Sequence, residues 1–274
     1  MTPIQNEKAL RFQELHRRPG VLLIPNPWDA GSARILAGLG FEAFATSSAA
    51  AAGVLGRCDG KLTRDEALAH ALEIVNATDL PVAADLEHGF GDSPASAAET
   101  IRLAGSTGLV GGSIEDARAD RDKPIYDLTL ATERVAAAVQ AARGLPFPFT
   151  LAARAENFVR GNPNLDDTIK RLVAYESAGA DVLFAPGLPD LASVRDVCAA
   201  VSKPVNFAVG GRGRSFSVAE LVEAGVRRIS FAASFYRAAM TGLMEAAREA
   251  REKGTFTFVD RAVVTPELNQ FFAK

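Results

Sequence analysis

Cysteine is scarce in this chain: Cys58 and Cys198 are the only two among 274 residues. A disulfide scaffold is excluded at that density, and a reducing compartment is the expected setting. A run of about 18 apolar residues, the length needed to cross a bilayer, occurs nowhere. The longest small-residue stretch, 43–53, is alanine-rich and too short for that role. The opening segment MTPIQNEKALRFQELHRRPG has no apolar centre of the kind a secretory signal needs. Nor is there a basic excess. Lys and Arg number 30 against 33 Asp and Glu, a formal charge of −3, which argues against a nucleic-acid partner. Linkers, charge blocks and low-complexity segments are missing as well. The expectation is one domain over 1–274, cytoplasmic, with neither a nucleic-acid nor a membrane partner.

Hydrophobic residues make up 48% of the chain and charged residues 23%, a globular balance. Apolar runs recur at 21–26, 41–47, 81–87, 109–116, 149–155, 181–186, 204–209 and 228–231. They are near-continuous rather than alternating, as strands buried on both faces are. Between them, helical periodicity covers 30–39, 63–76, 96–106, 129–142, 165–178, 190–201, 217–224 and 234–252. Asp29 is a good N-cap, and Thr63 with Glu66 reads as a capping box. Gly40, Gly179 and Gly225 stand where a left-handed cap would end a helix before the next strand. Eight strand–helix units in roughly 250 residues predict an α/β fold of the (β/α)8 TIM-type barrel class. A doubly wound sheet would show a glycine-rich loop after its first strand, but the chain there reads Asn26-Pro27-Trp28-Asp29. The tail 254–274 is an extra C-terminal helical segment. Its Phe256, Phe258, Val263, Val264, Leu268, Phe271 and Phe272 must be buried against the barrel or a neighbouring subunit.

In such a barrel the C-terminal strand ends face the active site. Strand 2 ends in Thr46-Ser47-Ser48, with Asp59 in the following loop. Strand 3 ends in Asp85-Leu86-Glu87-His88-Gly89-Phe90-Gly91, strand 4 in Glu115-Asp116, and strand 5 in Arg154-Ala155-Glu156-Asn157. Strand 7 carries Asn206, and the loop after it holds Arg212 and Arg214. Like charges gathered from neighbouring strands raise one another's pKa or need a cation between them. A hard divalent ion, Mg²⁺ or Mn²⁺, prefers carboxylates and water. Asp85 and Glu87, two residues apart, point to the same side of a strand.

In this order, Asp59, Asp85-Leu86-Glu87-His88-Gly89-Phe90-Gly91, Ser113-Ile114-Glu115-Asp116 and Ala153-Arg154 resemble the isocitrate lyase/phosphoenolpyruvate mutase superfamily, over about residues 25–231. The resemblance implies a Mg²⁺-binding (β/α)8 barrel that acts on small 2-oxo and 2-hydroxy acids through an enolate-like intermediate. It implies that Asp59, Asp85, Glu87 and Glu115 form the metal group, some directly and others through water, with Glu87 standing where many members have Asp. Thr46, Ser47 and Ser48 match the stretch that holds the substrate carboxylate, and Arg154 matches the arginine that neutralises substrate charge. Asn206 joins them as a substrate contact.

The lyase signature Lys-x-Cys-Gly-His is absent from the loop after strand 4. Residues 117–127 hold neither cysteine nor histidine, and they also lack the asparagine and serine of the mutase gating loop. Tyr126, Lys123 and His88 are the candidate acid–base groups, and Lys123, Arg121 or Tyr126 the candidate lid residues. The expected function is carbon–carbon cleavage or decarboxylation of an acid such as pyruvate, oxaloacetate or 2-oxoglutarate. The alternatives are a catalytically idle 2-oxo acid binder and a phosphonate mutase or hydrolase. A longer dicarboxylate needs a second cation, from Arg154, Arg212 or Arg214. The resemblance also implies a homodimer or homotetramer with an exchanged C-terminal helix.

Overall fold

The computed structural model describes residues 3–118, 122–211, 213 and 215–273. Its strands are β1 (Leu22–Ile24), β2 (Phe44–Ala45), β3 (Val82–Asp85), β4 (Gly111–Glu115), β5 (Thr150–Arg154), β6 (Val182–Phe184), β7 (Val205–Ala208) and β8 (Arg228–Ser230). All neighbouring pairs are parallel, in the order β1-β8-β7-β6-β5-β4-β3-β2. The helices are α1 (Pro3–Arg17), α2 (Ala30–Gly38), α3 (Ser48–Val54), α4 (Arg64–Ala77), α5 (Pro94–Ser106), α6 (Leu128–Arg143), α7 (Leu165–Ser177), α8 (Leu191–Ala200), α9 (Val218–Glu223), α10 (Ser234–Arg248) and α11 (Thr265–Phe272). This is the (β/α)8 barrel that the alternation of runs predicts.

The ring is nearly closed. No ladder joins β1 to β2. There the Ala45 N–H donates to Pro25 O at 3.1 Å, and Asn26 Nδ2 donates to Thr46 O at 2.9 Å. Asn26 Oδ1 also accepts the Phe231 N–H at 2.8 Å, so one buried side chain ties both sides of the seam to the end of β8.

The local signals behave as their chemistry requires. Asp29 caps α2, and Thr63 with Glu66 forms a reciprocal box at the start of α4. Gly179 takes φ +100°, the left-handed turn that returns the chain from α7 to β6. Apolar side chains between strands and helices form the core. Phe12, Phe44, Leu86, Ile101 and Phe149 lie in one half, and Leu172, Tyr175, Leu183, Val197 and Ile229 in the other.

Helix α1 covers the lower end of the barrel. Ala9, Phe12 and Leu15 are buried, and Gln5 Nε2 donates to Gly105 O and Leu109 O. Gly111, the first residue of β4, has no side chain because a Cβ there would meet Thr150 O at 2.8 Å and Phe12 Cε1 at 2.9 Å.

At the other terminus, α11 lies on α2 of its own chain. Phe271 occupies the space above Gly38, and Arg34 Nη1 donates to Phe272 O at 3.2 Å. By contrast α10 buries no residue, and Leu243, Met244, Phe256, Val259, Val263 and Val264 are exposed. Among the described residues no helix is long and apolar enough to cross a membrane.

Candidate active site

The upper barrel is hollow. A cavity of about 470 Å³ runs down from the C-terminal strand ends, and a second of about 360 Å³ adjoins it; Ser48, Asp59, Arg154, Val159 and Pro186 line both. Strand register explains the hollow. Asp85 pairs with Ser113 and Ser113 with Ala152, so two small side chains sit beside the first carboxylate. One layer higher, Glu115 pairs with Arg154 and Arg154 with Phe184.

Arg154 is the hub of this layer. Its Nη1 donates to Asp85 Oδ1 at 3.0 Å, its Nη2 to Glu115 Oε2 at 3.1 Å, and its Nε to Glu156 Oε1 at 2.9 Å. These three carboxylates hold its charge well above the ordinary guanidinium range against the opposing effect of burial. Arg160 adds a second cation from the turn after β5, with Nη2 at 3.2 Å from Glu115 Oε1. Burial pushes the Glu115 and Glu156 carboxyls up from their ordinary values, although both face arginines.

Asp85 is held on every side. Besides Arg154, its Oδ2 accepts the Ser48 N–H at 3.2 Å and its Oδ1 the Glu87 N–H at 3.2 Å, while its own N–H donates to Thr46 Oγ1 at 3.0 Å. Ser47 caps α3 through its side chain. The Thr46-Ser47-Ser48 stretch therefore brackets Asp85 and starts a helix, rather than presenting a row of free donors.

Glu87 differs from its neighbours. Its backbone is left-handed, φ +48°, and its Oε1 is buried with no hydrogen-bond partner. Burial, then the charges of Asp85 and Asp59, raise its carboxyl from 4.5 to about 7.

Five carboxylates, Asp59, Asp85, Glu87, Glu115 and Glu156, thus gather around two guanidinium groups, Arg154 and Arg160. The structure brings the four expected metal residues and Arg154 together, and Asn206 lines the cavity below them.

Glu156 and Arg160 have no assigned role in the sequence reading. Arg160 reaches the site because the short turn Asn157–Val159 folds the chain back after β5. Its spacing of four from Glu156 is the one signal that could have found it.

The donor set suits Mg²⁺. All donors are oxygen, the charge excess is negative, and one buried oxygen lacks a partner. Among the described residues no three acidic, histidine or cysteine side chains converge as an all-protein cage. Mg²⁺ does not require one, because it keeps several waters and takes one or two carboxylates.

The proposed acid–base groups lie elsewhere. Tyr126 is 1% exposed, donates to Asp92 Oδ1 at 2.7 Å and lies under the Arg134 guanidinium at 4.3 Å. Burial and Asp92 raise its phenol above the usual range, and Tyr126 lines neither cavity, so the structure places it in the packing below the loop rather than over the site. The cause is the loop after β4. It is pinned by an Ala117–Ile125 bridge, by Arg118 N–H to Pro124 O at 2.8 Å, and by Tyr126 N–H to Asp116 O at 2.9 Å. Lys123 is exposed on that loop and lines neither cavity. His88 also lies outside both linings; its carbonyl accepts from Arg134, and burial and Arg134 lower its imidazole pKa. Arg121, Arg212 and Arg214 lie outside the described residues.

The family model for phosphoenolpyruvate phosphomutase matches residues 12–251. The chain belongs to that family. A crystal structure of a candidate lyase/mutase from Burkholderia cenocepacia J2315 is 52% identical, with a TM-score of 0.97 over 99% of this chain and 98% of that one. The 2-methylisocitrate lyase of Bacillus subtilis (strain 168) is 29% identical, covering 88% of this chain and 83% of the relative. Oxaloacetate decarboxylase 2 of Pseudomonas putida (strain W619) is also 29% identical, covering 81% and 74% respectively. The phosphomutase-family barrel described here is thus similar to enzymes named for breaking carbon–carbon bonds.

Proposed function

We propose that this family member is a Mg²⁺-dependent carbon–carbon lyase or decarboxylase acting on a small 2-oxo or 2-hydroxy acid. The observation that carries the reading is the unpartnered Glu87 Oε1 inside a carboxylate excess at the mouth of the barrel. Asp85 and Glu87 would hold the ion, with Asp59 and Glu115 adding charge around it. When bound, the ion supplies Lewis-acid stabilisation of negative charge developing on an oxo acid.

The chain's own residues do the rest. Arg154 offers a planar fork to an acid oxygen while its carboxylate partners keep it oriented. The Ser48 N–H holds the Asp85 carboxylate from the helix start, and Thr46 Oγ1 fixes the Asp85 backbone by accepting its N–H. The walls, formed by Phe184, Val159, Pro186 and Leu188, are apolar and limit water around the acid. A loop after β4 without cysteine or histidine favours a reaction that needs no loop acid, and decarboxylation is such a reaction.

Pyruvate release, followed by a coupled dehydrogenase over a panel of 2-oxo and 2-hydroxy acids with Mg²⁺, tests the reading. Turnover that stops on chelation and in Asp85→Ala is the expected result. Metal-dependent binding without turnover of any acid on the panel would make the protein a binder instead. Conversion of phosphonopyruvate seen by ³¹P NMR would make it a mutase.

A further inference from the structure

Two charged side chains lining the cavity take no part in the carboxylate network: Arg237, which is exposed and donates to Gly210 O, and Arg228, which is buried. Arg228, the first residue of β8, is 7% exposed and borders the cavity from its floor. Among the described residues no carboxylate forms an ion pair with it, and burial alone lowers its pKa, to about 10. Its Nε is buried without a partner. Its Nη1 faces only His16 Nε2, at 3.4 Å. The other imidazole nitrogen of His16 lies 2.8 Å from Phe12 O, and burial holds this histidine neutral, down to about 4. A neutral imidazole accepts a hydrogen bond but cancels no charge.

Two more polar side chains stand beside it. Asn206 pairs with Arg228 across β7 and β8, and its Nδ2 donates to Ser230 Oγ at 3.0 Å. Asn206 Oδ1 is buried and unpartnered. Isolated buried cations are costly to a fold and are normally paired. The orphaned cation borders the cavity and suits an anion that enters it; the Ser230 hydroxyl, which accepts from Asn206, keeps its own proton to donate there, whereas Asn206 Oδ1 is an acceptor and offers an anion nothing.

The register relates this floor to the upper site. Arg154 pairs with Phe184, Phe184 with Asn206, and Asn206 with Arg228, so the two arginines share one row of the wall. Barrel strands tilt by about 36°, so a row three strands long descends by roughly 8 Å. Arg154 ends β5 at the mouth, and Arg228 begins β8 below it. The upper arginine is neutralised by three carboxylates and the lower by none.

We propose that Arg228, with the Ser230 hydroxyl that Asn206 orients, is a second anion subsite that receives the far carboxylate of a dicarboxylic acid whose near end sits by Asp85, Glu87 and Arg154. This deepens the proposed function and rests on it for the near end. The substrate class becomes four- and five-carbon dicarboxylic 2-oxo or 2-hydroxy acids rather than monocarboxylates.

Calorimetry with Mg²⁺ on matched pairs tests the proposal: 2-oxoglutarate against 2-oxopentanoate, and malate against 2-hydroxybutyrate. Each pair differs by one terminal carboxylate. The wild type should prefer the dicarboxylate of at least one pair by about tenfold or more. Arg228→Gln should erase that preference while leaving the monocarboxylate affinity within about threefold. Arg228→Met should melt no lower than the wild type, because it removes a lone buried charge and keeps the side-chain length. Absence of a preference in both pairs, or a preference that survives Arg228→Gln, overturns the subsite. A lower melting temperature with the preference intact makes Arg228 a structural residue. Oxalate, too short to reach the floor, reports the upper site alone. Failure of oxalate to bind with Mg²⁺ counts against the proposed function, whereas oxalate binding without Arg228-dependent selectivity counts only against the subsite.

Discussion

Glu87 and Arg154 line one cavity in opposite predicaments, one with an unpartnered buried oxygen and the other supplied with three carboxylates. For Glu87 the sign of the pH effect follows from burial. Its carboxyl is raised in the fold from 4.5 to about 7, so its contribution to stability is complete below about pH 4.5 and is lost as pH rises through 7. Partial exposure limits the effect to roughly 1–2 kcal/mol. In chelator, the wild type should lose melting temperature between about pH 5 and 8, and Glu87→Gln should flatten that slope. Added Mg²⁺ should raise the wild-type melting temperature more at pH 8 than at pH 5, since it binds the ionised site. Equal slopes in the two proteins would remove Glu87 as the source. Arg154→Ala strands Asp85, Glu115 and Glu156 without their common cation and should cost about 3–5 kcal/mol in urea unfolding.

Elements show how far a sequence carries such a reading. The starts of α2 and α4 were legible because their caps are local hydrogen-bond chemistry, written in residues three apart. The eight strands were legible as runs because both of their faces are covered. Helix α3 was not, since an alanine-rich segment has no apolar stripe to read. Helix α1 was missed because it buries little: its apolar contacts are Ala9, Phe12 and Leu15 in a polar segment. The acidic strand ends could be named one by one. The ties among them could not, because Arg154 meets Asp85 across 69 positions and Arg228 meets the cavity through interstrand register.

The loop 88–93 makes the same point. Its shape depends on Arg134 of α6, which donates to the carbonyls of His88, Gly91 and Ser93. Arg134→Met should leave those carbonyls unsatisfied, lower stability by about 2–4 kcal/mol and loosen Mg²⁺ binding, as urea titration and calorimetry would show. Full metal affinity in a folded variant would separate the loop from the site.

For the whole molecule, α10 buries nothing and presents Leu243 and Met244 to solvent, and the segment after it adds Phe256, Val259 and Val263. We propose that this face meets further copies of the chain, since exposed apolar side chains suit such contact. The expected state is a homodimer or homotetramer, seen in sedimentation as a multiple of the chain mass. Leu243→Asp combined with Phe256→Asp should shift it to the single chain, and a wild type that already sediments as one chain would end the idea.

With Phe12 and its neighbours on α1 stoppering the bottom of the barrel, the chamber is a blind well. Whatever enters must leave by the same opening. Fragments of a molecule split inside it therefore depart in a fixed order, the shallow piece first and the deeper one last. Inhibition by the two products should differ in kind: the last to leave competes with the incoming acid, and the first does not.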